Sequence, residues 1–103
     1  MKQFDVTIVG LGPTGGTLAN LLAMHGFSIL IIDREKSFYP LPRAVHFDDE
    51  VMRVFQTIGI AKSFLNYTII NKGTKFVNSK GKVILDWPRP RKVTENGWYP
   101  SYR

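Results

Sequence analysis

Cysteine is absent from this 103-residue chain, so a disulfide framework, a thiol nucleophile and a thiolate metal site are all excluded. No stretch approaches the ~18 consecutive apolar residues of a membrane-spanning helix, and Asp5 interrupts the apolar run that a secretory signal would need. A cytoplasmic protein with no membrane partner is therefore the expectation. No internal repeat and no low-complexity segment is present. Acidic residues are scarce in the last third. Beyond residue 70 only Asp86 and Glu95 stand against Lys72, Lys75, Lys80, Lys82, Arg89, Arg91, Lys92 and Arg103, and this stretch holds the whole net charge of +6. Phosphate neutralisation and base stacking could use such a stretch, but no nucleic-acid-binding motif accompanies it. A solvated edge or a surface for an acidic partner is the simpler reading.

What is present is enough for a core. Hydrophobic residues make up 44% of the chain, and its length allows one modest domain. A full dinucleotide-binding domain needs several crossover units of ~30 residues each, and there is room here for one or two.

The first such unit spans residues 4–33. Phe4-Asp5-Val6-Thr7-Ile8-Val9 is rich in β-branched residues and stops at Gly10, as a buried parallel strand would. Gly10-Leu11-Gly12-Pro13-Thr14-Gly15 fits G-x-G-x-x-G, which alone is weak. Its context strengthens it: Leu18, Leu21 and Leu22 form a helical stripe, Gly26 suits a helix end, and Phe27 to Ile32 supply a second strand closed by Asp33. Each residue type then has a task. Gly10 permits the tight turn, Gly12 lets the backbone approach a pyrophosphate, and Gly15 lets helix and strand pack closely. Pro13 fits the first helical position, and the helix N-terminus attracts phosphate. Asp33 sits near the expected ~20-residue spacing for a ribose-binding acid, and Glu35 is the alternative. A bare βαβ turn with no ligand remains the structural alternative.

A loop with two prolines follows, and then Asp48-Asp49-Glu50 open a helix over 48–59, with Val51, Val54, Phe55 and Ile58 at helical spacing and Gly59 as the stop. Capping explains the three acids without a metal shared with His46, so no metal is expected. After a short helical segment at 61–65, residues 67–86 read as strands, with Tyr67 to Ile70 one candidate. Lys75 to Val77 and Lys82 to Leu85 flank a hairpin turn at Asn78-Ser79-Lys80-Gly81. Residues 87–103 read as an extended linker and an abrupt end that looks like a cut.

GLGPTG, Asp33-Arg34, Pro42-Arg43-Ala44 followed by the acids at 48–50, and the closing GWYPSYR together resemble the N-terminus of the class A flavoprotein aromatic monooxygenases, most nearly the 3-(3-hydroxyphenyl)propionate hydroxylase branch. The resemblance implies an α/β fold, with a Rossmann-like βαβ unit of the glutathione-reductase type, a helix and a small antiparallel hairpin, as an incomplete FAD-binding domain. It implies that Gly10, Gly12, Pro13, Thr14 and Gly15 hold the FAD pyrophosphate. Asp33 would bind the adenosine ribose, Arg34 would lie beside the adenine, and Arg43 would lie on the flavin side; a structural Arg43 paired with an acid such as Asp48 is the alternative. Such enzymes take NAD(P)H as co-substrate and hydroxylate a small phenolic substrate through a flavin hydroperoxide, the cofactor carrying the difficult chemistry. The family often has Glu where this chain has Asp33, and its later Gly-Asp motif would fall beyond Arg103. No catalytic residue is therefore assigned; His46, Tyr99 and Tyr102 qualify by residue type alone. The chain by itself would be inactive. A stand-alone nucleotide-binding or interaction module, or another FAD- or NAD-linked oxidoreductase, is the competing reading.

Overall fold

The computed structural model describes residues 1–41 and 43–103; Pro42, within the Pro42-Arg43-Ala44 run, lies outside the described residues. The chain forms two compact units, Met1–Arg43 and Ala44–Arg103.

The first unit is the βαβ arrangement. Strand β1 (Val6–Val9) lies parallel to β2 (Ile29–Ile32), in the register Val6 to Ile29 through Val9 to Ile32, and helix α1 (Pro13–Met24) makes the crossover that parallel pairing requires. The register is pinned at its start by a reciprocal clamp. Asp5 N–H donates to Ser28 Oγ (3.0 Å), while Ser28 N–H and Oγ–H donate to Asp5 Oδ2 (2.7 and 2.6 Å). The acid that breaks the apolar run thus aligns the two strands. Helix α1 starts at Pro13 behind Gly12 and ends at His25, with Gly26 at φ +84° beyond.

The leucine stripe is only partly the packed face. Leu21 and Leu22 are half-buried, but Leu18 is exposed, and Ala19 is the residue of α1 that is buried. Gly15 and Ala19, one turn apart, let the helix lie close to the strands, whereas periodicity counted only the large side chains.

The second unit is built around aromatic rings. Helix α2 (Asp49–Thr57) is capped by Asp48, whose Oδ1 accepts from Val51 N–H (3.0 Å), with Asp49 and Glu50 in its first turn. It is followed by α3 (Ala61–Leu65). Met52, Ala61 and Tyr102 are buried, and Phe47, Phe55, Phe64, Trp98 and Tyr99 pack around them. Phe47 stacks on Tyr102 (centroids 5.4 Å apart, planes at 7°).

Among the closing residues, Ser101 and Tyr102 are buried in this unit, while most of residues 87–97 is exposed. Tyr102 bridges Phe47 on one side and Ile70 on the other; Arg103 N–H donates to Ile69 O (2.9 Å) and Asn71 N–H to Ser101 O (3.0 Å). The segment from Tyr67 to Ile70 contributes this isolated bridge and no longer strand. Strands β3 (Gly73–Val77) and β4 (Val83–Pro88) form the antiparallel hairpin; β3 begins earlier than the expected Lys75, and β4 runs past the expected Leu85 to Pro88. Gly73 (φ +134°) faces Pro88, and a Cβ there would meet Trp87 O at 2.5 Å, so only glycine allows this approach. Pro88 ends the strand, a position that tolerates its missing donor. No helix among the described residues is long and apolar enough to cross a membrane.

Asp49 ties α2 to the segment near the C-terminus, accepting from the Thr94 hydroxyl and from Asn96 Nδ2 (2.7 Å), while Trp98 Nε1 donates to Gln56 Oε1 (3.1 Å). The Thr94 hydroxyl first, and then the Asn96 amide, hold the Asp49 carboxyl below its ordinary value; the Ser28 hydroxyl and then the Ser28 N–H do the same for Asp5. A carboxyl depressed in the folded state adds stability above its unfolded pKa of about 3.9 and loses it as pH falls through the folded value. Urea midpoints should therefore hold steady down to about pH 5 and fall below about pH 4. Asp49→Asn, which keeps an acceptor but cannot titrate, should flatten part of that fall. An acid profile superimposable on the parent's would remove Asp49 from this account.

Candidate functional site at the glycine turn

The site grows from the end of β1. Gly10 adopts φ +106°, a conformation open to glycine, and its N–H donates to Ile32 O at 2.8 Å, so the turn begins while still tied to β2. Leu11 N–H donates to Asp33 Oδ2 (2.6 Å), and Glu35 N–H donates to Asp33 Oδ1 (2.8 Å). One carboxylate thus joins the glycine turn to the loop after β2. The Glu35 N–H, and next the Leu11 N–H, keep the Asp33 carboxyl below its ordinary value. Two of its roughly four lone-pair sites are used, which leaves acceptor capacity for hydroxyl donors.

Three glycines do three different things. A Cβ on Gly15 would lie 2.1 Å from Gly10 O and 3.3 Å from Ile8 Cγ2, so the helix sits on the turn at a distance no other residue allows. A Cβ on Gly12 would meet nothing within 4 Å, and Gly12 has ordinary extended geometry (φ −87°, ψ −174°). Nothing among the described residues demands glycine at 12.

The helix start is a set of free donors. Among the described residues, no protein acceptor pairs with the N–H of Gly12, Thr14 or Gly15; the first helical bond runs from Gly16 N–H to Gly12 O (2.9 Å). Pro13 has no N–H, and α1 carries no acidic residue in its first turn and no side-chain cap. The positive end of the helix is therefore left without a negative group of its own. This donor set fits a pyrophosphate, and with it the FAD expected from the sequence.

Beside the turn lies an open cleft of about 240 Å³, lined by Leu11, Asp33, Glu35, Lys36, Ser37 and Phe38. Sequence reading missed Leu11, Lys36, Ser37 and Phe38. The signal available for Phe38 was a bulky aromatic in a polar loop just after the acid; it is 76% exposed. Arg34 is exposed and pairs with Glu35 (3.2 Å), while Arg43 stacks over the Tyr39 ring at 4.2 Å. His46 is exposed. Tyr102 is buried, and its hydroxyl accepts from Tyr99 N–H (3.0 Å), which gives both tyrosines structural work. No cluster of three or more metal-ligating side chains occurs among the described residues.

Fold and site together define an α/β chain built on a glycine-turn βαβ unit. The family described as "FAD binding domain" matches residues 3–101, and the chain belongs to that family. It is 47% identical over 85 residues to a probable NADH-specific resorcinol 4-hydroxylase of Rhodococcus jostii, matching 82% of this chain and 16% of that protein. It is 40% identical over 98 residues to a 3-(3-hydroxy-phenyl)propionate/3-hydroxycinnamic acid hydroxylase of Burkholderia vietnamiensis, matching 95% of this chain and 18% of that protein. The chain thus spans less than a fifth of the length of these relatives. Among solved structures, PqsL of P. aeruginosa superposes with a TM-score of 0.76 at 20% identity, over 98% of this chain and 26% of that one. The p-nitrophenol 4-monooxygenase of Pseudomonas putida gives 0.70 at 21%, over 80% and 21%. At these identities the likeness is one of fold.

Proposed function

We propose that this chain holds the ADP half of FAD in an NAD(P)H- and O₂-dependent monooxygenase that hydroxylates a phenolic ring, with the βαβ unit arranged as in the glutathione-reductase type. The observation that carries this reading is the row of unpaired donors at Gly12, Thr14 and Gly15, held beside an ionised Asp33. In this reading the pyrophosphate accepts from those N–H groups at the start of α1, with Gly10 and Pro13 setting the course of the backbone. The ribose hydroxyls donate to Asp33, which the Leu11 and Glu35 N–H groups hold in place. Phe38 and Leu11 offer apolar surface to the adenine, with Arg34 nearby, and Arg43 lies toward the flavin. Bound FAD would take electrons from NAD(P)H and activate O₂ for transfer of one oxygen atom to the ring. The names of the curated relatives support the aromatic substrate and the nicotinamide co-substrate.

Titrating FAD into the folded chain with and without ADP present should show the two competing for one site; a folded chain that binds neither sinks the cofactor assignment. A flavoprotein carrying this chain should oxidise NADH or NADPH faster when a phenolic substrate is added. Oxidation indifferent to every phenol would sink the hydroxylase reading and leave FAD binding intact.

A further inference from the structure

A turn from Thr94 to Trp98 joins the C-terminal segment of the second unit to helix α2. Thr94 N–H donates to Trp98 O (2.8 Å) and Gly97 N–H donates to Thr94 O (2.9 Å), which closes the turn with Gly97 at φ +78°. The Thr94 hydroxyl and Asn96 Nδ2 (2.7 Å) both donate to Asp49 Oδ2 in the first turn of α2, and Trp98 Nε1 donates to Gln56 Oε1 (3.1 Å). Asp49 therefore carries most of the tie between helix and segment.

Asn96 has a reactivity that the other asparagines lack. Asn20, Asn66, Asn71 and Asn78 precede Leu21, Tyr67, Lys72 and Ser79, whereas Asn96 precedes Gly97. A backbone nitrogen can attack the side-chain carbonyl of the asparagine before it, and glycine, with no Cβ and a freely turning backbone, opposes that approach least. Gly97 is exposed, and a Cβ built on it would meet nothing within 4 Å. Both reacting groups are nevertheless engaged, the Gly97 N–H by Thr94 O and the Asn96 amide by Asp49. The Thr94 hydroxyl and then the Asn96 amide hold the Asp49 carboxyl below its ordinary value, and an ionised carboxylate only accepts hydrogen bonds. The group facing Asp49 has to be a donor.

We propose that Asn96 is a site of spontaneous deamidation which Asp49 holds in check, and that its conversion unties the C-terminal segment from α2. In the reaction Gly97 N bonds to Asn96 Cγ, the Cγ–Nδ2 bond breaks, and the nitrogen leaves as ammonia with the proton that Gly97 N gives up. Water then opens the cyclic imide at one ring C–N bond to give aspartate, or at the other to give isoaspartate, which adds a methylene to the main chain. Either product sets a carboxylate where the donor stood, so two acceptors of like charge replace the bond from Asn96 to Asp49. Loss of ammonia makes the change one-way. The inference is independent of the FAD reading, since none of its residues belongs to the glycine turn.

The experiment incubates the chain in mildly alkaline buffer, folded and in urea, and follows each asparagine by mass spectrometry of its peptides. In urea Asn96 should convert first; in the folded chain it should convert at least about tenfold more slowly, because the reaction waits for local opening. Asp49→Ala should raise the folded rate several-fold. Gln56→Ala, which removes the neighbouring tie to Trp98 without touching Asn96, should leave it near the parent's. Asn96→Asp, which copies one product, should lower the urea midpoint by on the order of 0.5 M. Adding Asp49→Asn to it exchanges amide and carboxylate and should recover much of that loss. If Asp49→Ala does not fold, the parent's two rates and the exchanged pair still decide. Another asparagine converting first in urea, equal rates folded and in urea, equal acceleration by Asp49→Ala and Gln56→Ala, or a parental midpoint for Asn96→Asp would each overturn the proposal.

Discussion

Gly15→Ala is expected to unfold the β1-α1-β2 unit or leave it barely stable, with a loss of about 3 kcal/mol or more and a melting temperature lower by on the order of 15 °C. The added Cβ would sit 2.1 Å from a backbone oxygen, Gly10 O, and 3.3 Å from Ile8 Cγ2. A side chain in the way can rotate, but this oxygen belongs to a turn fixed on both sides by the bonds from Gly10 N–H to Ile32 O and from Leu11 N–H to Asp33. The helix must therefore lift away from the strands, taking the buried Ala19 with it. A loss of this size is a large fraction of the usual 5–15 kcal/mol of a domain. Thermal unfolding followed by circular dichroism measures it, and a melting temperature within about 3 °C of the parent would show that the turn yields more readily than its bonding implies.

Gly12→Asp should do the opposite: keep the fold and remove the cofactor. Residue 12 is the N-cap of α1, in the extended geometry that capping residues adopt, with open space where a side chain would go. Aspartate is among the best N-caps, and its carboxylate would accept from the free N–H groups of the first turn. Helix stability should hold or rise by a few tenths of a kcal/mol. Those same donors are then occupied and fronted by a negative charge. Two charge-assisted hydrogen bonds lost, at about 1.5–3 kcal/mol each, weaken FAD by roughly a hundredfold to ten-thousandfold. Calorimetric titration of FAD, beside a melting curve, separates the two effects. Undiminished FAD affinity in a folded Gly12→Asp protein would place the pyrophosphate elsewhere. The pair of substitutions tests whether one motif divides into a glycine that serves the fold and a glycine that serves the ligand.

The glycine turn, its helix, the two flanking strands, the acid-capped α2 and the hairpin could all be read from the sequence, because each rests on local chemistry. β-branched runs, a positive-φ glycine, a proline at a helix start and an aspartate cap act within a few residues of themselves. The order strand, glycine turn, helix, strand, acid pointed to a dinucleotide, and the resemblance carried by Arg34, Arg43 and the acids at 48–50 narrowed it to FAD, in agreement with the family to which the chain belongs.

The tertiary structure alone decided what depends on residues far apart. Asp33 reaches back to Leu11 across 22 positions, and Asp49 reaches forward to Asn96 across 47, so neither bond has a periodic signature. Ala19, not Leu18, is buried, because contact distance and not hydrophobic size chose the packed face. Tyr102 ends in the core of the second unit because its backbone is bridged by Phe47 and Ile70 together, although its segment reads locally as a loose end. The motif at Gly10 to Gly15 was therefore set by the sequence, while the crowding at Gly15 and the open space at Gly12 emerged only from which atoms stand next to each of them.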